Sequence, residues 1–315
     1  MVTQSEECAV YRFIGTDGEG IVTSYQVFPG VEILYNEFHM GRCFIKKHTC
    51  RDIMEINHCR QGRFECEFEN GTCAYLEAGD LSVNLLSSQT RNPNFPLEHY
   101  YGVSVVIDIA EAAEAISSVL DNISIDLWAL RNKLCSNTYC FIMRATNSIE
   151  HIFSELYTVP DAVKYGYFKL KVLELLLFLS ITDVSDAQHE RLYFHKDQVE
   201  IIKHIKHHIT ENMDSHYTLE MLSARFCIPL TTMKLCFKGV YGTSIYAFIR
   251  SYRMHTAALL LAQGSESVTE IASRVGYTNA SKFACAFKQV IGLSPLKYRQ
   301  RFRLTQATSP CKDTK

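Results

Sequence analysis

Residues 268–299, VTEIASRVGYTNASKFACAFKQVIGLSPLKYR, read as a helix, a sharp turn, a second helix and a Gly-x-Ser-Pro corner. Ile271, Ala272, Val275, Phe283, Phe287 and Val290 keep helical spacing, so two helices can bury one shared apolar seam. Gly276 falls where the first helix must stop, a place suited to a residue that tolerates positive φ. Asn279 is placed to cap the second helix. A helix-turn-helix lays its second helix in the major groove of DNA, so the element implies a partner as well as a shape.

The pattern recurs about fifty residues upstream. Thr218 caps a helix through Phe226, Cys227-Ile228-Pro229 makes the turn, and Leu230 to Gly239 forms the second helix. Met233 and Phe237 repeat the spacing of Phe283 and Phe287, and each copy then runs Phe-Lys and reaches a glycine, Gly242 or Gly292. Between the copies, Ser244 to Leu261 is one long helical stretch that would hold two DNA readers apart.

This arrangement resembles the AraC/XylS family of bacterial transcription regulators over residues 197–303. The residues that carry the resemblance are Ile271, Ala272, Val275, Gly276 and Tyr277, then Phe283, Phe287, Lys288, Gly292, Ser294, Pro295, Tyr298 and Arg299. The resemblance implies promoter DNA as the partner, RNA polymerase recruitment as the usual outcome, and no enzymatic activity. Some relatives of such a module carry a repair methyltransferase with a Pro-Cys-His-Arg active site, and no such segment occurs here.

Charge follows the same boundary. Residues 195–303 hold fifteen Lys/Arg against seven Asp/Glu, a net of +8, whereas residues 1–194 hold fifteen against twenty-six, a net of −11. The total of −2 therefore joins a basic module to an acidic one. The basic part supplies the phosphate attraction on which nucleic-acid affinity rests. At 315 residues and 47% hydrophobic, the chain can bury two cores. The polar start Met1–Glu7 and the short apolar run Val172–Ile181, interrupted by Glu174, predict a cytoplasmic protein without a membrane span. Twelve cysteines then read as reduced thiols.

Residues 20–110 alternate apolar and polar in short runs separated by Pro29-Gly30, Asn70-Gly71 and Gly79-Asp80, the texture of antiparallel strands. The expected fold class is α+β, the evenly spaced short strands suggesting a small antiparallel barrel or sandwich. A cupin-like barrel, which the resemblance suggests, precedes helices over 111–182, a linker at 183–196, the all-α DNA-binding module at 197–303 and a tail at 304–315. Helices are expected at Glu111–Leu120, Asp126–Leu134, Asn147–Tyr157 and Asp161–Thr182. The last is apolar around so much of its circumference that it must be buried, either under the barrel or against another copy of itself, and the resemblance implies a homodimer through 147–182.

A barrel of this size can hold one small effector, of unknown identity, with Tyr35, His58, Cys66, Phe68 and Tyr75 as candidate lining residues. Cys43, His48, Cys50, His58, Cys59, Cys66 and Cys73 fall in the same region. No Cys-x2-Cys pair or His-x-His with a following Glu occurs among them, so no metal and no cofactor is expected. An effector-independent regulator or repressor, and a regulator controlled by a protein or peptide, remain open.

Core positions fix which side chains face DNA. With Met233, Cys236 and Phe237 inward, Thr231, Lys234 and Leu235 turn outward, and these match the family's base-contacting positions. With Phe283 and Phe287 inward, Ser281, Lys282, Ala284 and Cys285 turn outward; Ser281, Lys282 and Cys285 are the base-contact candidates of the second reader. Lys238, Arg253, Lys288 and Arg299 are expected on phosphates or in internal ion pairs.

Overall fold

The computed structural model describes residues 2–4, 8–43, 52–68, 70–86, 93–117, 119, 125–135, 140–184 and 193–307, and falls into two compact units, Met1–Lys196 and Asp197–Lys315. The first is built of antiparallel strands with helices, the second of helices, an α+β chain.

Strand alternation organises the first unit. Strands β1 (Val2–Gln4), β2 (Cys8–Ile14), β3 (Glu19–Phe28), β4 (Val31–His39), β5 (Ile53–Gly62), β8 (Leu81–Leu85), β9 (Tyr100–Asp108) and β10 (Phe141–Met143) form one sheet, ordered β1-β2-β3-β4-β9-β5-β8-β10. Strands β6 (Phe64–Glu67), β7 (Thr72–Leu76) and β11 (Phe194–His195) form a second, ordered β11-β7-β6. Every pairing is antiparallel. Among the described residues the large ladder does not close into the cupin-like barrel that the resemblance suggests, and two packed sheets are present, in keeping with the sandwich alternative.

The large sheet buries both faces. On one, Val31, Ile33, Met54, Ile56, Val103 and Val105 pack against helices α1 (Ile109–Ser117), α2 (Leu127–Leu134), α3 (Asn147–Ser154) and α4 (Lys164–Ile181). On the other, Val22, Phe38, Cys59, Tyr100 and Ile142 meet Phe68, Ala74 and Leu76 of the small sheet. Each fully buried aliphatic side chain contributes about 1.5–3 kcal/mol, so covering both faces compensates for the short strands.

The helix expected over 161–182 begins as a 3-10 turn, Asp161–Val163, before α4. Phe168, Val172, Leu175, Leu176 and Leu179 enter the core, whereas Val163, Leu170, Leu177 and Ile181 stay exposed. Of the expected linker, residues 185–192 lie outside the described residues. Phe194 and His195 are strand β11, paired with Cys73 and Thr72, and Lys196 ties back through its backbone N–H to Gly71 O (2.8 Å) and its Nζ to Glu67 (2.7 Å). The segment is polar in composition, yet the free edge of β7 recruits its end.

The second unit holds α5 (Lys196–Glu211), α6 (Leu219–Arg225), α7 (Leu230–Tyr241), α8 (Ile245–Gln263), α9 (Val268–Arg274), α10 (Ala280–Ile291) and α11 (Pro295–Ala307). Helices α6 and α7 make one helix-turn-helix, α9 and α10 the other. Each opens on a capped turn: Thr218 Oγ1 accepts from Met221 N (3.1 Å), and Ser267 Oγ from Glu270 N (3.2 Å). Glu270 reaches back to Ser267 N at 2.7 Å, completing a capping box. Asn279 Oδ1 accepts from Lys282 N at 2.9 Å, the cap its position predicts.

Both turns pass through a left-handed residue two positions after the last helical one, Cys227 at φ 50° and Gly276 at φ 82°. A Cβ at 276 would lie 2.9 Å from the Asp214 carbonyl oxygen and 2.8 Å from Arg253 Nη2. Gly276→Ala therefore adds left-handed strain of about 1–2 kcal/mol to a backbone collision. Urea unfolding of the variant is expected to show the second unit losing at least that much stability, with Cys227→Ala nearly neutral beside it.

Candidate nucleic-acid interface

On α7, Met233, Cys236, Phe237 and Val240 are fully buried, so the helix presents Thr231, Lys234, Leu235 and Lys238 at i, i+3, i+4 and i+7 on one exposed face. Phe237 is fixed from the far side by Tyr241 and Phe248, with ring centroids 4.8 and 5.6 Å away. On α10, Phe283, Ala286 and Phe287 are buried among Met254, Leu261, Ile271 and Val275, and Phe287 also meets Tyr298 at 5.6 Å. Ser281, Lys282, Cys285 and Lys288 are exposed, and Ala284 is half-buried. Gln289, not singled out from the sequence, continues the Lys282–Cys285 face at i+7 and lies 3.5 Å from Arg250 Nη1. Its helical phase was the signal that could have found it.

Lys234, Lys238, Lys282 and Lys288 form no ion pair among the described residues, so their charges are available to an anionic partner. The two arginines behave differently. Arg253 Nε donates to Met213 O (2.8 Å) and its Nη2 to Ser215 O (2.6 Å), with the guanidinium 6.0 Å from the Tyr277 ring centroid. Arg299 Nη2 donates to Glu266 O at 2.6 Å. Both were expected on phosphates or in internal ion pairs; in the structure each donates to backbone carbonyls of its own module.

The candidate effector residues fall on three surfaces and share no single lining. Tyr35 and His58 face the helices: Tyr35 Oη donates to Leu156 O (2.6 Å), and His58 stacks on Phe153 at 4.3 Å with Nδ1 3.1 Å from Tyr157 Oη. Burial, helped by the nearby Arg60 charge, pushes the His58 pKa down to about 4. Cys66 and Phe68 lie between the sheets. Tyr75 points to the outer side of the small sheet, where its hydroxyl donates to Glu65 (2.6 Å) and its ring meets Phe194 at 6.1 Å. The strand parity of residues 35 and 38 was readable, but which strands lie together was not. Of the thiol and imidazole groups weighed for a metal, His48 and Cys50 lie outside the described residues. No group of three His, Cys, Asp or Glu able to hold an ion occurs among those described.

Residues 222–301 match the family model described as a helix-turn-helix domain. The C-terminal module is an AraC-type helix-turn-helix domain. Over 123 residues, 39% of the chain, it is 32% identical to the uncharacterized HTH-type transcriptional regulator YtdP of Bacillus subtilis, covering 15% of that protein. Over 114 residues, 36% of the chain, it is 33% identical to the uncharacterized HTH-type transcriptional regulator YdiP of Escherichia coli, covering 37% of it. It is also 32% identical over 87 residues to the HTH-type transcriptional activator RhaR of Mannheimia succiniciproducens, covering 26% of this chain and 32% of that one. The chain thus spans well under half the length of the curated relatives it matches.

Within the AraC-type module the two kinds of cation separate by experiment. Arg253→Ala is expected to lower the unfolding midpoint of the second unit while leaving the salt dependence of DNA binding unchanged. Lys288→Ala is expected to leave unfolding unchanged and to flatten the slope of log K against log salt by about one. Paired denaturation and salt-titration series measure both.

Proposed function

We propose that the protein is a cytoplasmic, ligand-responsive transcription regulator that binds promoter DNA through both helix-turn-helix motifs. The observation that carries this reading is the pair of exposed faces, Thr231–Lys234–Leu235 and Ser281–Lys282–Cys285, each on the second helix of its motif and each backed by buried aromatic rings. Helix α8, at 19 residues, is about 28 Å long. That is of the order of one turn of B-DNA, about 34 Å, so the two readers suit successive turns of one groove.

The readers are unequal. Lys234 can donate to guanine O6 and N7, Thr231 can meet a base edge or a thymine methyl, and Leu235 can make apolar contact. The α10 face has short side chains beside Lys282 and serves more for positioning, with Lys238 and Lys288 on phosphates. Residues 1–182 form the sensing and dimerisation part, and the effector shifts the population of DNA-competent states. Activation through RNA polymerase is the favoured outcome, in keeping with its similarity to the transcriptional activator RhaR.

A second copy of the chain docks along α4. Val163, Leu170 and Leu177 recur every seven residues and are 54%, 65% and 37% exposed, with Ile181 extending the stripe. Heptad spacing of this kind keeps an apolar seam facing a partner helix.

Two measurements test the reading. Lys234→Ala is expected to weaken binding to the preferred sequence by about 1–3 kcal/mol and to relax choice at one base pair. An unchanged sequence preference and affinity would remove the assignment. Leu170→Glu is expected to convert a dimer to a monomer in sedimentation equilibrium with little loss of thermal stability, because Leu170 contributes nothing to the core of its own chain.

A further inference from the structure

We infer that the sheet face enclosed between the two sheets of the first unit binds a small hydroxylated amine, with Glu55 taking the ammonium group and Asn57 the hydroxyl oxygen. The inference rests on the proposed ligand-responsive function and names the chemical class of the effector.

Register places the groups. Val106 on β9 pairs with Glu32 on one side and Glu55 on the other, and Glu55 pairs with Asn84. The adjacent row runs Ser24, Leu34, Ser104, Asn57, Ser82 across five strands. Part of this face is the apolar cluster around Phe38, Tyr100 and Leu76. The remainder is carboxylate, amide and hydroxyl, although a buried sheet face is normally apolar. Cys66 of the small sheet sits close enough to feel the Glu55 charge, so the second sheet covers these polar groups.

Their hydrogen bonds leave defined gaps. Tyr100 Oη and Ser104 Oγ both donate to Asn57 Oδ1 (2.7 and 3.2 Å), and Asn36 Nδ2 donates to Ser104 Oγ (2.9 Å). Asn57 is 2% exposed, and its Nδ2 donates to nothing among the described residues. Glu32 is held by Ser24 Oγ (2.6 Å), and Glu55 meets Asn84 Nδ2 at 3.5 Å and the Ser104 hydroxyl. Neither carboxylate has an ion-pair partner among the described residues. Burial raises the Glu55 pKa, with the hydrogen bonds from Ser104 and Asn84 opposing the rise. Glu55 and Asn57 are two apart on β5 and point the same way, about 7 Å from each other along the strand. A chain of a few carbons joins an ammonium at one to an oxygen at the other. An anionic compound would instead meet Glu32 and Glu55 with no compensating cation among the described residues.

The test uses the full-length protein and three probes of equal length, 4-aminobutan-1-ol, butane-1,4-diol and 4-hydroxybutanoate, in calorimetric titrations and thermal shift. The amine is expected to bind saturably, the diol about tenfold or more weaker, as loss of one charged hydrogen bond implies, and the carboxylate not at all. Glu55→Gln, which keeps the shape, is expected to bring amine and diol to equal affinity, while Glu55→Asp keeps the amine preference. Circular dichroism confirms that both variants fold. The inference is overturned if the amine preference survives in Glu55→Gln, since the cation then sits on the general acidic surface, or if no probe saturates. Preference for the diol or the carboxylate would overturn it too, but would leave a ligand-responsive protein standing. Promoter titrations on the same samples report on the DNA-binding reading separately.

Discussion

The guanidinium of Arg253 occupies space that any side chain at 276 would claim. Its Nε and Nη2 gather the carbonyls of Met213 and Ser215, which precede the first helix-turn-helix, and its plane approaches Tyr277 in the turn of the second. One cation on the connecting helix therefore ties both motifs to α8. The arrangement works only with a hydrogen at the Gly276 α-carbon, because the turn must come within van der Waals contact of the charged group. The orientation of the exposed lysines on α7 and α10 follows from this packing.

The first unit obeys a different constraint, a period of two in which both phases are buried. Met54, Ile56 and Val105 satisfy the helices, and the intervening positions must then satisfy a second sheet. Where those positions are Cys59, Tyr100 and Phe38 they make core. Where they are Asn57 and Ser104 they make an interior of hydrogen-bonding groups, with Glu55 half-buried beside them. Such an interior is costly to fold unless its polar groups find hydrogen-bond partners.

Much of the C-terminal module was legible because its signals are local. Asn279 and Gly276 act within a few residues of themselves, and the buried Phe283 and Phe287 follow from helical phase. The capping box at Ser267 and Glu270 was equally local and went unread. Arg253 and Arg299 were not legible, since their carbonyl partners lie 40 and 33 residues away. The turn at Cys227-Ile228-Pro229 was legible, but the left-handed backbone of Cys227 was not, because that conformation is usually taken by glycine or asparagine. In the first unit the strands could be read from alternation, but the polar phase of β5 resembles a solvated face until a second sheet is known to lie over it. For the same reason Tyr35 and Phe68 looked like neighbours, although the large sheet stands between them.

The large sheet also ends in a particular way. Its outermost strands, β1 and β10, are three residues each, beside inner strands of up to ten. A short rim offers few unpaired amides and carbonyls, too few to template the accretion of a neighbouring chain by strand addition. Among the described residues, self-association of the large sheet through main-chain hydrogen bonding is thus disfavoured by construction.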